Sequence, residues 1–215
     1  MFPPGAASLV TASNLNTSLK AAVRVDNFTS SEITIGGVPI SAADISGVVT
    51  SVAYFLPQEF YYIEPADREY VCSEVRAFFI YFLSELRCRK LNPPTPKTLS
   101  GLGMHRIEWM KAAFVGGIPV WPRRLKSGEL VEGDEQPLRR VKVTIIGDTI
   151  IEDGAPEQVR AYVVTLSRLF AMPYLCADFV SPHEGKYFLA ELRSVPDITV
   201  AANREAVVRF MGRPA

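Results

Sequence analysis

Two acidic residues near the end of this 215-residue chain have types and spacing that could bind a metal ion. Asp178 lies in the apolar run Leu175–Val180, and Glu191 lies in the run Lys186–Leu192. Each run is typical of a strand, and the glycine-containing turn between them predicts adjacent strands. If both carboxylates point to one face, they could hold one Mg²⁺. The binding would be weak, because Mg²⁺ keeps most of its waters at so small a site.

Basic residues near these carboxylates allow two other interpretations. Glu191 could pair with Arg193 or Lys142 in a structural ion cluster. The polar segment 122–140 could also contribute an anion pocket for phosphate or carboxylate, although acidic residues within it weaken the positive field. The basic residues of this segment are Arg123, Arg124, Lys126, Arg139 and Arg140.

The remaining reactive side chains do not form a recognised catalytic pattern. His183 and Glu184 fall in a predicted hairpin loop, where acid–base work is conceivable but simple solvation is the common case. His105, on a predicted helix, is interpreted as a surface or capping residue. The three cysteines form no CxxC pair and are interpreted as reduced, buried thiols; they are Cys72, Cys88 and Cys176. No GxSxG, Walker or HExxH motif occurs.

Composition limits the class of protein. The chain is 48% hydrophobic, and its 23 basic side chains balance 23 acidic ones. A zero net charge argues against general nucleic-acid binding, which requires a basic face. No run approaches the ~20 apolar residues of a membrane span, and the opening segment lacks the basic start of a signal peptide. We therefore expect a cytoplasmic globular protein that binds neither nucleic acid nor membrane.

The first half of the sequence predicts a sheet followed by a long helix. Gly36-Gly37 is typical of a hairpin turn, and the apolar run Ile45–Phe55 predicts a strand covered on both faces. Residues 65–89 predict an amphipathic helix with an aromatic stripe that belongs to the core. The predicted strands lie near 7–12, 19–26, 31–40 and 46–55.

The second half predicts an antiparallel sheet packed against one helix. The polar segment 122–140 is interpreted as a linker or a small hairpin. A strand hairpin is expected over 141–152, and two more strands over 175–180 and 186–192. Helices are expected over 104–115, 156–171 and 203–211. Together these elements predict an α+β fold.

The order of these elements resembles the ATP-grasp ligases, most of all those that modify ribosomal peptides. The front of the family is similar to Ile45–Phe60, the long helix, Leu91-Asn92-Pro93-Pro94 and the helix that ends in Gly117-Ile118-Pro119-Val120. Val141–Asp148 is similar to the first strand and turn of the family's C-terminal subdomain. Ala177-Asp178-Phe179 and Leu189–Arg193 resemble its two metal-bearing strands.

This resemblance implies an ATP- and magnesium-dependent ligase, but the chain departs from the family's pattern. Asp178 and Glu191 stand at the family's metal-binding carboxylates, whereas Arg193 replaces an asparagine ligand and could not coordinate a cation. Lys142 replaces a phosphate-contacting arginine and keeps only the charge. Segment 122–140 is too short for the family's nucleotide-clasping subdomain, since segments below ~40 residues rarely support a core.

The resemblance divides the chain into three regions. Residues 1–121 correspond to the N-terminal, pre-ATP-grasp part, 122–140 to a shortened linker, and 141–215 to a C-terminal subdomain remnant. The family's first strand–helix unit is not recognisable.

The leading functional prediction is a non-catalytic pseudoenzyme that binds a peptide, a small molecule or a partner protein. It would act without a cofactor, as a homodimer or as a heteromer with a pathway enzyme. The alternative is a minimal carboxylate–amine ligase, with Asp178 and Glu191 on Mg²⁺ and Lys142 and Arg193 on the phosphates of ATP. A structural subunit without any ligand is the third possibility. No catalytic residue is assigned.

Overall fold

The computed structural model describes residues 10–11, 20–35, 37–121, 139–183 and 185–212, together with the backbone of 123–126 and 129–132. The chain forms two compact units. One contains residues 1–103 and 208–215, and the other contains residues 104–207. The boundary between the units falls after Gly103, whereas the predicted N-terminal region extends to residue 121. That functional division stays a prediction.

The first unit opens with a small antiparallel sheet. Its strands are β1 (Lys20–Ala22), β2 (Glu32–Ile35) and β3 (Val38–Ser41), in the order β1-β2-β3. The predicted hairpin between β2 and β3 is confirmed, with Gly37 at a φ of 82°. Ile33 and Ile35 alternate onto one face of β2, as the two-residue period of a strand requires, and are buried there.

Helix α1 (Arg68–Glu85) confirms the long aromatic helix, although it is shorter than predicted. A single 3-10 turn at Pro65–Asp67 precedes it. The backbone leaves the helix at Leu86, and Arg89–Leu91 forms β5, which pairs in parallel with β4 (Gly47–Val49). Aromatic side chains of α1 are buried in two apolar clusters, one beneath the small sheet and one with Phe55 and Phe60.

The prediction of a fully covered strand over Ile45–Phe55 is wrong. Only Gly47–Val49 is a strand, and both of its end residues are exposed. The apolar side chains of this run pack in two separate places: Ile45 and Val48 against the cluster beneath the small sheet, and Val52 and Phe55 in the aromatic cluster. The strand predicted near 7–12 lies almost wholly outside the described residues, and of the one near 19–26 only β1 is observed.

The second unit begins with helix α2 (Arg106–Val115), which starts two residues later than predicted. It ends at Gly116-Gly117 as expected, with Gly117 at a φ of 80°. The chain then runs beside the edge of the C-terminal sheet. There the Trp121 N–H donates to the Leu189 carbonyl over 2.9 Å, and the Leu189 N–H donates to the Pro119 carbonyl over 2.8 Å.

A four-stranded antiparallel sheet forms the core of the second unit. Its strands are β8 (Arg139–Ile146), β9 (Thr149–Glu152), β10 (Tyr174–His183) and β11 (Lys186–Arg193), in the order β11-β10-β8-β9. Helix α3 (Glu157–Leu169) packs on one face, where the Tyr162 and Phe179 rings stack with centroids 6.0 Å apart. The two hairpins predicted for this half, β8 with β9 and β10 with β11, are confirmed.

The strand after the linker begins earlier than predicted. Arg139 and Arg140, assigned to the segment 122–140, are the first residues of β8. Strand β10 extends to His183, so Ser181 and Val180 supply pairing partners for both arginines. Within the preceding segment, β6 (Arg123–Lys126) and β7 (Glu129–Glu132) pair as the small hairpin that was one of the two interpretations.

The last helix, α4 (Ala201–Met211), begins two residues earlier than predicted. The chain is thus an α+β protein, as its sequence predicts. In the parts of the chain that the structure describes, no helix has the length and apolar character to span a membrane.

Candidate functional site

The register of the C-terminal sheet brings three predicted site residues into one row. Lys142 on β8 lies opposite Asp178 on β10, which lies opposite Glu191 on β11. Residues that are directly opposite in a sheet share a face and have neighbouring side chains. Because Phe179 points towards α3, its neighbour Asp178 and the rest of the row face away from that helix. We call Lys142, Asp178 and Glu191 the charged row.

Arg193 joins the charged row from the next position along the sheet. Its register partner is Cys176, two residues before Asp178. One guanidinium nitrogen of Arg193 donates to Oδ2 of Asp178 over 2.6 Å and lies 3.6 Å from the Cys176 sulfur. Partial burial acts to lower the pKa of Arg193, but the nearby Cys176 and Asp178 act to raise it, and the net shift is upward. The guanidinium is therefore held firmly in its charged form.

Arg106 is the site residue that sequence reasoning missed. It lies in the first turn of α2, and its guanidinium donates to Oε2 of Glu191 over 3.0 Å and to the Ala190 carbonyl over 2.6 Å. The same group lies 6.0 Å from the ring centroid of the buried Trp109, within reach of a cation–π contact. No motif in the sequence indicates this pairing, because the partners are far apart along the chain.

A β-bulge explains why Arg106 reaches this point. The register of β10 with β11 shifts between Asp178 and Phe179, so that Glu191 and Leu189 are paired and Ala190 between them is not. A bulged residue leaves the ladder, and its backbone groups need other partners. Arg106 supplies one for the Ala190 carbonyl and takes the Glu191 carboxylate with the same nitrogen.

The prediction that Glu191 pairs with Arg193 or Lys142 is therefore wrong in its partners. Glu191 pairs with Arg106, and Arg193 pairs with Asp178. A structural ion cluster does exist, but each carboxylate has its own arginine. Arg193 lies diagonally across from Asp178, where its long side chain reaches the carboxylate, whereas Arg106 approaches Glu191 from a different element.

Asp197, after the end of β11, adds a third carboxylate to this surface. Its Oδ1 accepts hydrogen bonds from the Thr199 hydroxyl over 2.6 Å and from the Thr199 N–H over 3.0 Å. These bonds, helped by the positive charges of Lys142 and Arg193, hold the pKa of Asp197 below its ordinary value. Asp197 thus stays ionised beside the charged row.

The predicted anion-binding arginines are separated by the sheet. Alternation along β8 places Arg140 on the same face as Lys142 and Arg139 on the other face. The Arg139 guanidinium donates to the Gly154 carbonyl over 2.9 Å. The structure therefore groups Lys142, Arg193 and Arg140 on one face and sets Arg139 apart; anion binding by any of them stays a prediction.

The two carboxylates of the charged row are paired with arginines in this structure. Asp178 and Glu191 lie opposite each other, but a guanidinium lies within 3.0 Å of an oxygen of each. Among the described residues, no three His, Cys, Asp or Glu side chains are grouped so that they could hold a metal ion. The metal role of Asp178 and Glu191 stays a prediction.

The other candidate residues lie apart from the charged row. His105 precedes α2, where its N–H donates to the Glu108 carboxylate over 2.7 Å, which agrees with a capping position. His183 is exposed at the end of β10, and Glu184 lies outside the described residues. Burial raises the pKa of both the Cys72 and Cys88 thiols, which disfavours the reactive thiolate.

Comparisons with known proteins place this arrangement in a known fold. No protein-family model and no curated protein matches the chain. Among solved structures, macrocyclase MdnC with precursor peptide MdnA, from Microcystis aeruginosa MRC, matches with a TM-score of 0.70 at 12% identity. That match covers 91% of this chain and 87% of MdnC.

Two further solved structures agree with this match. ATP-grasp ligase PsnB, complexed with minimal precursor, Mg and ADP, gives a TM-score of 0.65 at 12% identity over 93% of this chain and 88% of PsnB. A RiPP-associated ATP-grasp ligase from Chryseobacterium gregarium, in complex with ADP and a leader and core peptide, gives a TM-score of 0.63 at 13% identity. That match covers 87% of this chain and 81% of the ligase. At sequence identities this low, the structural matches demonstrate a shared fold and nothing further. The chain has the fold of the RiPP-associated ATP-grasp ligases.

Proposed function

We propose that the protein is a non-catalytic member of this fold that binds a peptide in a peptide-modification pathway. The observation that carries the proposal is the pair of arginines on the charged row. Arg193 and Arg106 each bind one of the two carboxylates at hydrogen-bond distance. A carboxylate oxygen that already accepts from a guanidinium is a poorer metal ligand, because the guanidinium occupies a lone pair and its charge repels an incoming cation.

Two arginine side chains can balance the charge of the two carboxylates in place of a divalent cation. The carboxylates stay paired without a divalent ion, because two fixed positive charges supply the balance. A dication that entered between them would meet repulsion from both guanidinium groups as well as from Lys142. The arrangement therefore favours a site that is stable without a bound metal ion.

The segment between Trp121 and Arg139 supports the same proposal. Its described strands, β6 and β7, form a hairpin of two four-residue strands. The resemblance implies that the nucleotide-clasping subdomain would occupy this position. We propose that the hairpin replaces that subdomain and that the chain no longer encloses ATP.

The proposed partner is a peptide, because structures with this fold, MdnC and PsnB among them, were solved with precursor peptides. We further propose that the protein works in the cytoplasm as a homodimer or together with a pathway enzyme. Its cysteines are free, as a reducing compartment would keep them.

Calorimetric titration with ATP and Mg²⁺, with an ADP titration as control, tests the proposal. We expect no saturable heat at millimolar nucleotide. Saturable binding in the micromolar range would overturn the non-catalytic assignment. It would favour the alternative, a minimal ATP- and Mg²⁺-dependent carboxylate–amine ligase using the charged row.

A paired variant separates the remaining possibilities. In Asp178→Ala/Glu191→Ala, loss of turnover would indicate the ligase, and loss of peptide binding alone would indicate a binding subunit that uses this site. An effect on stability alone would indicate that the row is structural. Glu205→Ala, at an exposed position of α4, is the matched control.

A further inference from the structure

A group of exposed aromatic residues in the first unit has no role in the charged row. Tyr54, Leu56 and Tyr61 are 57%, 48% and 70% exposed, and Tyr62 beside them is 47% exposed. Large exposed aromatic groups are unusual on a soluble surface and mark interaction sites. Tyrosine is also enriched where proteins bind partners, because it offers a large rigid contact with little loss of entropy. We call these four residues the tyrosine patch.

The loop that carries the tyrosine patch is closed by a buried aromatic pair. The rings of Phe55 and Phe60 meet edge to face, with centroids 6.2 Å apart. Tyr54 and Leu56 flank Phe55 in sequence, and Tyr61 follows Phe60 directly. The buried pair therefore brings the two backbone segments that carry the patch to the same end of one loop.

Hydrogen bonds fix this loop against the start of α1. The Arg68 guanidinium donates to the Ile63 carbonyl over 2.9 Å and to the Tyr61 carbonyl over 3.1 Å. The Cys72 thiol donates to the Phe55 carbonyl over 3.3 Å. The exposed rings are thus presented by a loop that is anchored at two points, as a preformed binding surface requires.

The segment that carries the tyrosine patch is rich in acidic residues. Residues 54–70 contain four acidic side chains and one basic one, Arg68, whose guanidinium is engaged with backbone carbonyls. The Glu59 carboxylate caps the loop by accepting the Leu56 N–H over 2.8 Å, and Glu64, two residues after Tyr62 in the sequence, is exposed. Aromatic faces and carboxylates together are the surroundings that an arginine or lysine side chain prefers.

We propose that the tyrosine patch docks an arginine- or lysine-bearing peptide segment, with the cationic side chain over a tyrosine ring and paired to a neighbouring carboxylate. This inference rests on the proposed function, since it gives the peptide partner a surface and a chemistry. It assigns peptide docking to the first unit, whereas the charged row belongs to the second. The charge complementarity selects a cationic segment over an apolar or acidic one.

The test measures fluorescence anisotropy of a fluorescein-labelled peptide of alternating arginine and glycine. The same peptide with citrulline in place of arginine is the uncharged control. We expect the arginine peptide to bind, the citrulline peptide to bind at least about tenfold more weakly, and added salt to weaken binding. Equal affinity for the two peptides, or no binding of either, would overturn the inference.

Variants then locate the binding surface. Tyr54→Ser/Tyr61→Ser should weaken the arginine peptide about tenfold, through loss of two ring contacts. Tyr70→Ser is the matched control, because Tyr70 is 68% exposed yet lies on the face of α1 away from Arg68 and Cys72. Thermal unfolding of both variants establishes that they are folded.

The outcomes separate this inference from the proposed function. Unchanged peptide binding in Tyr54→Ser/Tyr61→Ser would exclude the tyrosine patch as the docking surface. It would not contradict the proposal that the protein binds a peptide. Conversion of a dimer to a monomer by the same variant would mean that a second copy covers the patch, which also contradicts the inference. Nucleotide binding in the calorimetric experiment would contradict the non-catalytic function without bearing on the patch.

Discussion

Arg106 and Arg193 each pair with a carboxylate of the same sheet, but their surroundings differ. The side chain of Arg193 is half exposed, and its guanidinium contacts Asp178 and the Cys176 sulfur. Arg106 is more buried, packs on Trp109 and also binds the carbonyl of the bulged residue Ala190. Two ion pairs on one surface should therefore contribute unequally to stability.

We expect Arg193→Met to lower the free energy of unfolding by less than about 1 kcal/mol, because exposed ion pairs contribute little. Arg106→Met should cost about 1–3 kcal/mol, because it leaves the bulge carbonyl and the Glu191 carboxylate without their donor. Urea denaturation of both variants, beside Arg76→Met at an exposed position of α1, measures the difference. Equal losses for the two variants would mean that the burial of Arg106 and its bond to the bulge carbonyl add nothing to stability.

The hydrogen bonds of Asp197 lead to a pH prediction. Because folding lowers the pKa of this carboxyl, it stabilises the folded state above its ordinary pKa of about 3.9, and the contribution is lost as pH falls through the folded value. Thr199→Val removes the hydroxyl donor, so the pKa of Asp197 should rise towards its ordinary value. NMR titration of the carboxyl carbon measures this shift.

The stability of the same variant gives an independent check. Thr199→Val should be less stable than the wild type near neutral pH and approach it under acid. Thr165→Val, whose hydroxyl bonds to the Ala161 carbonyl instead of a carboxylate, should show a pH-independent difference. A loss in Thr199→Val that persists unchanged in acid would speak against the proposed linkage.

At the scale of elements, α1 organises the first unit through its aromatic side chains. Phe82 is almost wholly buried and packs beneath the small sheet, close to Phe28 and Phe78. Phe82→Ala should lower the free energy of unfolding by about 3–5 kcal/mol, because the remaining cavity cannot close fully. Tyr70→Ala on the same helix should cost less than about 1 kcal/mol. Similar losses, measured by denaturant titration, would contradict this account of the core.

The end of α2 depends on a backbone conformation that side chains disfavour. Gly117 has a φ of 80°, and a Cβ atom there would meet no neighbour within 4 Å. Gly117→Ala should therefore destabilise by about 1 kcal/mol through backbone strain alone. Gly117→Asn should cost less, because asparagine tolerates this region. Thermal unfolding of the two variants compares them, and the opposite order would exclude strain as the cause.

Sequence patterns predict those elements whose stability is local. The hairpin of β8 and β9 follows from alternation around Gly147-Asp148, and α3 follows from its apolar spacing. The prediction for the run Ile45–Phe55 is wrong because its apolar side chains pack into two separate clusters and not between two layers that cover a strand. An apolar composition indicates that a segment is buried, but it does not identify the residues against which the segment packs.

At the scale of the whole molecule, the order of elements indicated the fold while the individual site contacts stayed hidden. Asp178, Glu191 and Lys142 could be placed on neighbouring strands, and they do form one row. The partner of Glu191 could not be found, because it depends on a one-residue bulge and on a helix placed far away in sequence. Register and bulges arise from packing, which a single sequence does not display.

The proposed homodimer gives a prediction at the same scale. Sedimentation at increasing concentration should show a species of about twice the 23.7 kDa chain mass, because exposed apolar side chains of the fold favour self-association. Tyr54→Ser/Tyr61→Ser should leave this mass unchanged, since the tyrosine patch is assigned to peptide. A species of 23.7 kDa at every concentration would contradict the dimer.

The positions of the cysteines make the chain its own reporter of partial unfolding. Cys72 is buried in the first unit and Cys176 in the second, and both are free thiols. In a Cys88→Ser variant, which removes the third and half-buried thiol, a labelling reagent can reach either one only when its unit opens, so the two labelling rates measure two opening free energies within one molecule. Equal free energies with equal urea dependence would identify a single cooperative structure. Unequal ones would mean that one unit can open while the other stays folded, a property suited to an adaptor whose halves serve different tasks.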